Sequence, residues 1–132
     1  MGITDKIVSM KKIESTNSQN RILLESICPM GHALTKIGTR WKPLILFKLI
    51  NKSLRYTELR NEIPLITERM LALSLRELEK DKLIKRIDFG VYPKKVEYSL
   101  TSSGENLNVV LTGICEWGAS DMRASQVHEG AR

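Results

Sequence analysis

Arg69 and Arg76 stand seven residues apart, two turns of an α-helix, so on a helix both guanidinium groups project from one side. There each can offer a planar fork of donors to base edges or to phosphate oxygens. Thr67 and Glu68 fall at the N-terminal end of the same segment. A threonine hydroxyl there suits a phosphate, and a glutamate carboxylate suits an exocyclic amine such as that of cytosine. Leu73 lies on the same outer side; it suits a thymine methyl or, equally, packing against a neighbouring helix. Further along, Arg86, Lys94 and Lys95 supply cations of the kind that meet phosphates and set affinity and salt dependence without reading sequence. Upstream, Arg55 is either another phosphate contact or a solvated charge. The competing role for Arg69 and Arg76 is surface pairing with neighbouring glutamates.

A second candidate for chemistry is Cys28. It precedes Pro29 at a helix start, where unpaired N–H groups favour a thiolate, and His32 follows one turn later. Such a thiol is open to oxidation or alkylation; the plainer role is a small capping residue. Cys115, beside Ile114, suits core or interface packing, with an intersubunit disulfide as the alternative. Two cysteines build no stapled scaffold, and Cys28 with His32 has too few neighbours for a metal site. There is no glycine-rich phosphate loop, no pair of carboxylates with a base, and no nucleophile with a histidine and an acid at interpretable spacing. The expectation is a protein that is not an enzyme and takes no cofactor.

The chain of 132 residues carries a net charge of +6 with 42% apolar residues, as expected of a single globular domain. Between residues 36 and 100 there are fifteen Lys or Arg against eight acids, so the positive field belongs to the middle of the chain. A solvated lysine-rich face would give the same count, but this is also where a segment meeting a polyanion would carry its charge. No apolar run is long enough to span a bilayer, and the first residues lack a secretory pattern, which points to a cytoplasmic protein.

The elements that must position these residues follow from periodicity. Residues 1–20 are polar with scattered Ile and Val and are expected to form a mobile arm; residues 21–124 form the domain, and 125–132 a loose tail. A short helix begins at Cys28-Pro29 and ends at Gly38. Thr39 is placed to cap the next helix, in which Trp41, Leu44, Ile45, Phe47, Leu49 and Ile50 cover nearly the whole circumference, as a central core helix requires. Leu54 to Tyr56 suits a brief strand and Thr57 to Ile63 a short helix that Pro64 stops. Thr67 opens a longer helix to about Lys80 with Leu71, Leu75 and Leu78 on its inner stripe. Leu83 to Phe89 and Lys95 to Leu100 form two strands joined by a basic tip, where Tyr92 can pack on sugar or cap the hairpin. A last helix starts at Thr101 or Ser102, with Glu105 placed for a capping box from Ser102, and presents Leu107, Val110, Leu111, Ile114, Trp117 and Met122.

Short helix, proline turn, longer helix and basic hairpin are the parts of a winged helix-turn-helix, an α+β fold, mainly α. The surplus of apolar residues at both ends, including Ile22, Leu23 and Ile27, points to extra N- and C-terminal helices forming a dimer interface, with closure of the monomer core by those helices as the alternative. Twofold symmetry would then set two recognition helices about 34 Å apart on double-stranded DNA. A protein-interaction module on the same scaffold, without DNA, is the alternative, and outer-face Leu73 is the residue that favours it.

The pattern Cys28-Pro29, Ile37-Gly38, Trp41, Arg55-Tyr56, Glu58-Leu59, Ile63-Pro64-Leu65-Ile66-Thr67, Leu75-Arg76-Glu77-Leu78-Glu79, Leu83-Ile84, Val96-Glu97-Tyr98-Ser99-Leu100-Thr101, Gly104 and Trp117-Gly118 closely resembles the HxlR-type winged-helix transcription regulators, relatives of the MarR group. The resemblance covers about Cys28 to Gly118. It implies a homodimeric bacterial or archaeal regulator that binds a palindromic operator, with terminal helices forming the dimer and Cys28 at the position of a family sensor of oxidants or electrophiles. The chain departs from the family pattern at Leu65 and at Lys82, where glycine is customary, and at Thr39-Arg40, which replaces a common Gly-Lys.

Overall fold

The computed structural model describes residues 28–130, with side chains through residue 126. The expected arm over residues 1–20 and the apolar residues Ile22, Leu23 and Ile27 lie outside the described residues. The first described helix, α1 (Pro29–Ile37), belongs to the first of two units, the second of which begins at Arg40. Cys28 caps it: in an extended conformation, its Sγ accepts from the Gly31 N–H at 3.3 Å. Gly38 closes it, donating to the Leu34 carbonyl at 2.8 Å. A Cβ at Gly38 would lie 2.2 Å from that same oxygen, which restricts the position to glycine.

The second unit opens with α2 (Lys42–Lys48), α3 (Tyr56–Glu62) and α4 (Glu68–Lys80), continues through a two-stranded antiparallel sheet, β1 (Ile84–Asp88) and β2 (Val96–Leu100), and ends with α5 (Ser102–Glu105) and α6 (Asn108–Gly130). The strands pair from Ile84 opposite Leu100 to Asp88 opposite Val96. Leu54 adds one bridge to Tyr98, so the brief strand expected there is a single residue and α3 begins at Tyr56. Leu59, Ile63 and Ile66 from α3 and its following turn, Leu71, Leu75 and Leu78 from α4, and Ile45, Leu46 and Leu49 around α2 are buried in one core. At about 2 kcal/mol for each fully buried large aliphatic side chain, this shared burial is what holds the helices together.

Three local expectations are corrected. Trp41, not Thr39, occupies the N-cap of α2, and it makes no side-chain capping bond, because an indole has no acceptor to offer; Pro43 at the second helical position has no N–H to satisfy. The same helix is not apolar all round the core: Leu44 is exposed, while Lys42 is buried because its Nζ reaches Glu77 on α4 at 2.6 Å. The last helix is split. Thr101, not Ser102, is the cap; its Oγ1 accepts from Gly104 N–H and donates to the Lys82 carbonyl, so α5 is one turn and the helix restarts at Asn108. The tight approach at this corner needs Gly104, where a Cβ would meet the Leu83 carbonyl oxygen at 2.1 Å. The helix then continues to Gly130, so the tail expected after Ser125 is helical through that residue.

Helix α4 ends in paired reverse bonds, Lys82 N–H to the Glu79 carbonyl and Leu83 N–H to the Leu78 carbonyl, both at 3.0 Å. This geometry puts the intervening residue in the left-handed region, and Lys82 has φ of 60°. A side chain there is disfavoured by about 1 kcal/mol. Lys82→Gly is therefore expected to raise stability by about 1 kcal/mol, seen as a melting temperature several degrees higher by circular dichroism; an unchanged or lower midpoint contradicts this account of the turn.

Candidate nucleic-acid interface

Helices α3 and α4 with the turn at residues 63–67 form a helix-turn-helix, and β1 and β2 form the wing. Thr67 has an extended backbone, and its hydroxyl accepts from Met70 N–H at 3.1 Å, which starts α4 cleanly. Leu71, Ser74, Leu75 and Leu78 face inward, leaving Arg69, Leu73, Arg76 and Lys80 on the exposed side. Neither Arg69 nor Arg76 forms an ion pair among the described residues, so the surface pairing that competes with a ligand role does not occur. Two glutamates of the same helix are engaged elsewhere: Glu68 with Arg60 of α3, and Glu77 with Lys42 of α2. Arg69, Arg76 and Lys80 make the outer face of α4 predominantly cationic, with one apolar residue, Leu73, at 41% exposure and Glu79 exposed at its flank.

Arg55 is exposed at the N-cap of α3, where its backbone N–H donates to Glu58 Oε1 at 2.8 Å. In the wing, Arg86 is exposed on β1, opposite Tyr98. Gly90, with φ of 67°, turns the chain and donates to Asp88 Oδ1. Lys94 and Tyr92 are exposed at the tip, Tyr92 almost fully. Lys95 is half-buried instead. Its Nζ sits 4.4 Å above the Phe89 ring centroid and 3.9 Å from the Glu97 carboxylate, so the hairpin itself holds that charge. Thr67, Glu68, Arg69, Leu73 and Arg76 therefore share one helix or its cap, Arg86, Lys94 and Lys95 share the hairpin, and two of the charged members, Glu68 and Lys95, already have ionic partners in the protein.

Cys28 is exposed in the first unit and Cys115 is exposed in the second, where packing was expected. Cys115 borders an apolar cleft of about 400 Å³ with Pro43, Leu44, Phe47, Leu111 and Ile114. On α6 only Leu111 of the expected stripe is buried; Val110, Ile114, Trp117 and Met122 are exposed. Among the described residues no helix is long and apolar enough to cross a membrane.

Residues 36–126 match the HxlR-like helix-turn-helix family. The chain belongs to that family. Its HxlR-like sequence is 43% identical over 94 residues to an HTH-type transcriptional regulator of Methanothermobacter thermautotrophicus, covering 71% of this chain and 72% of that one. The oxidised form of the redox regulator HypR superposes with a TM-score of 0.68 at 42% identity, covering 70% of this chain and 96% of HypR. The reduced form of the transcriptional regulator YodB from Bacillus subtilis superposes with a TM-score of 0.61 at 35% identity, covering 69% of this chain and 90% of YodB. The fold of this HxlR-like protein is a winged helix-turn-helix.

Neither Tyr56 nor Arg60 was expected at the site from the sequence, although both converge on the start of α4. Their spacing of four on a short helix was the available signal. Because Arg69 and Arg76 are exposed and make no ion pair among the described residues, Arg69→Ala and Arg76→Ala are expected to change folding stability by no more than about 0.5 kcal/mol in urea denaturation; a loss of several times that would give these arginines a structural role.

Proposed function

We propose that the protein is a homodimeric transcriptional regulator that binds a palindromic operator through Thr67, Arg69, Leu73 and Arg76 of α4, with Arg55, Arg86, Lys94 and Lys95 along the backbone, and that chemistry at Cys28 switches it. The observation that carries this is the outer face of α4, whose arginines make no ion pair among the described residues while the neighbouring acids Glu68 and Glu77 are held by other helices. Arg69 and Arg76 donate to base edges or phosphates, and Leu73 touches a thymine methyl. The wing cations add affinity that is independent of sequence. The exposed row of Val110, Ile114, Trp117 and Met122 on α6 supports a dimer, since a partner helix would cover it. Two such protomers present recognition helices to successive major grooves.

Cys28 supports the switch: its thiol is exposed and sits at the N-terminus of α1, next to the Gly31 N–H. HypR is a redox regulator, and this chain shares its fold.

Selection from a random duplex pool followed by gel-shift titration tests the reading. The wild type is expected to select a twofold-symmetric site and to bind it as a dimer by sedimentation, with affinity falling steeply as salt rises. Arg69→Ala and Arg76→Ala each should cost about 1–3 kcal/mol of operator binding. No selected sequence at moderate salt, or undiminished binding in the double variant, defeats it. Diamide or a quinone is expected to shift operator affinity in the wild type and to leave Cys28→Ser unaffected. An equal response in both proteins removes Cys28 from the mechanism.

A further inference from the structure

Tyr56 and Arg60, one turn apart on α3, both grip the first residue of the recognition helix. The Tyr56 hydroxyl donates to the main-chain carbonyl of Glu68 at 3.1 Å, and an Arg60 Nη1 donates to the Glu68 carboxylate. With Thr57, Asn61 and Pro64 these side chains line an open cleft between the two helices. We propose that Arg60 and Glu68 work on DNA as a coupled specificity pair: Arg60 takes a backbone phosphate while still holding Glu68, and Glu68, neutralised by Arg60, screens the bases under the start of α4.

The coupling is electrostatic and rests on the proposed function. A carboxylate brought into a groove between two rows of phosphates is repelled whatever the sequence. It is tolerated where a cation stays beside it and a base amine donates to it, so it penalises every site lacking that amine. Arg60 is suited to the accompanying part. A guanidinium carries five N–H donors, the contact with Glu68 uses one, and the side chain is 40% exposed, so donors remain for a phosphate. As an exposed pair, Arg60 and Glu68 contribute little to folding. The bond from Tyr56 goes to the backbone of Glu68, so it holds the helix start when the carboxylate is removed.

The test uses the full chain with the duplex that the wild type selects and with a random duplex, titrated by fluorescence anisotropy across a salt series. The proteins are wild type, Glu68→Gln, Arg60→Gln, the double variant and Arg60→Lys, each with a melting curve. Glu68→Gln is expected to bind the random duplex about fivefold tighter and to lose about tenfold in discrimination. Arg60→Gln should weaken binding to both duplexes and reduce the salt slope by about 1, with a penalty about fivefold smaller when Glu68→Gln is also present. Arg60→Lys, which keeps the charge, should restore the slope. Equal penalties for Arg60→Gln in both backgrounds, unchanged discrimination in Glu68→Gln, or a slope not restored by lysine overturns the proposal while leaving the wild type a selective DNA binder. A wild type that selects no sequence overturns the regulator reading itself, and the pair with it.

Discussion

The arrangement depends first on the stripe of Leu71, Leu75 and Leu78, all but sealed from solvent with Ser74 between them. A helix with one side committed to a core cannot roll about its axis without exposing leucines at about 2 kcal/mol each. That constraint decides which residues point outward, because positions 69, 73 and 76 lie opposite positions 71, 75 and 78 on a 3.6-residue repeat. Packing against α2 and β1 supplies the complementary surface, so the orientation of a polar face is determined by its apolar counterpart.

Charge is sorted on the same helix. Lys42 is nearly buried on α2, yet its ammonium meets the partly exposed carboxylate of Glu77, which joins two core helices and withdraws a negative group from the surface. Arg60 likewise joins α3 to α4 through Glu68 at the other end, although that carboxylate stays largely exposed. With Glu68 and Glu77 drawn toward neighbouring helices, the positive potential over the outer face of α4 exceeds what the composition of that helix, taken alone, implies.

Most of the element order was legible because its signals are local. Pro29 and Gly38 bound α1, Pro64 and Thr67 delimit the turn, and leucines at intervals of four and three mark the inner side of α4. The misplaced boundaries depend on contacts that periodicity does not contain. Thr39 is a good capping residue by type, but the chain enters α2 at Trp41. Ser102 and Glu105 have the spacing of a capping box, while the Thr101 hydroxyl, tied to Lys82 nineteen residues earlier, decides where the turn begins. Of the candidate site, the outer residues of α4 were visible from spacing alone. The partners of Glu68 and Lys95 were not, because a salt bridge between helices and a cation above Phe89 arise from tertiary approach.

The hairpin has two closures of different character. At its base, Thr101 N–H donates to the Leu83 carbonyl at 3.1 Å and its hydroxyl to Lys82, beside the glycine corner that admits no side chain. At its far end, Phe89 N–H donates to the Lys95 carbonyl at 3.0 Å, and the residues between are exposed. The base is dimensionally locked, whereas residues 91–94, beyond the left-handed turn at Gly90, form a loop whose side chains are exposed. Cationic character can therefore be varied in that loop as an exchangeable cartridge, so long as a glycine is kept where the chain turns.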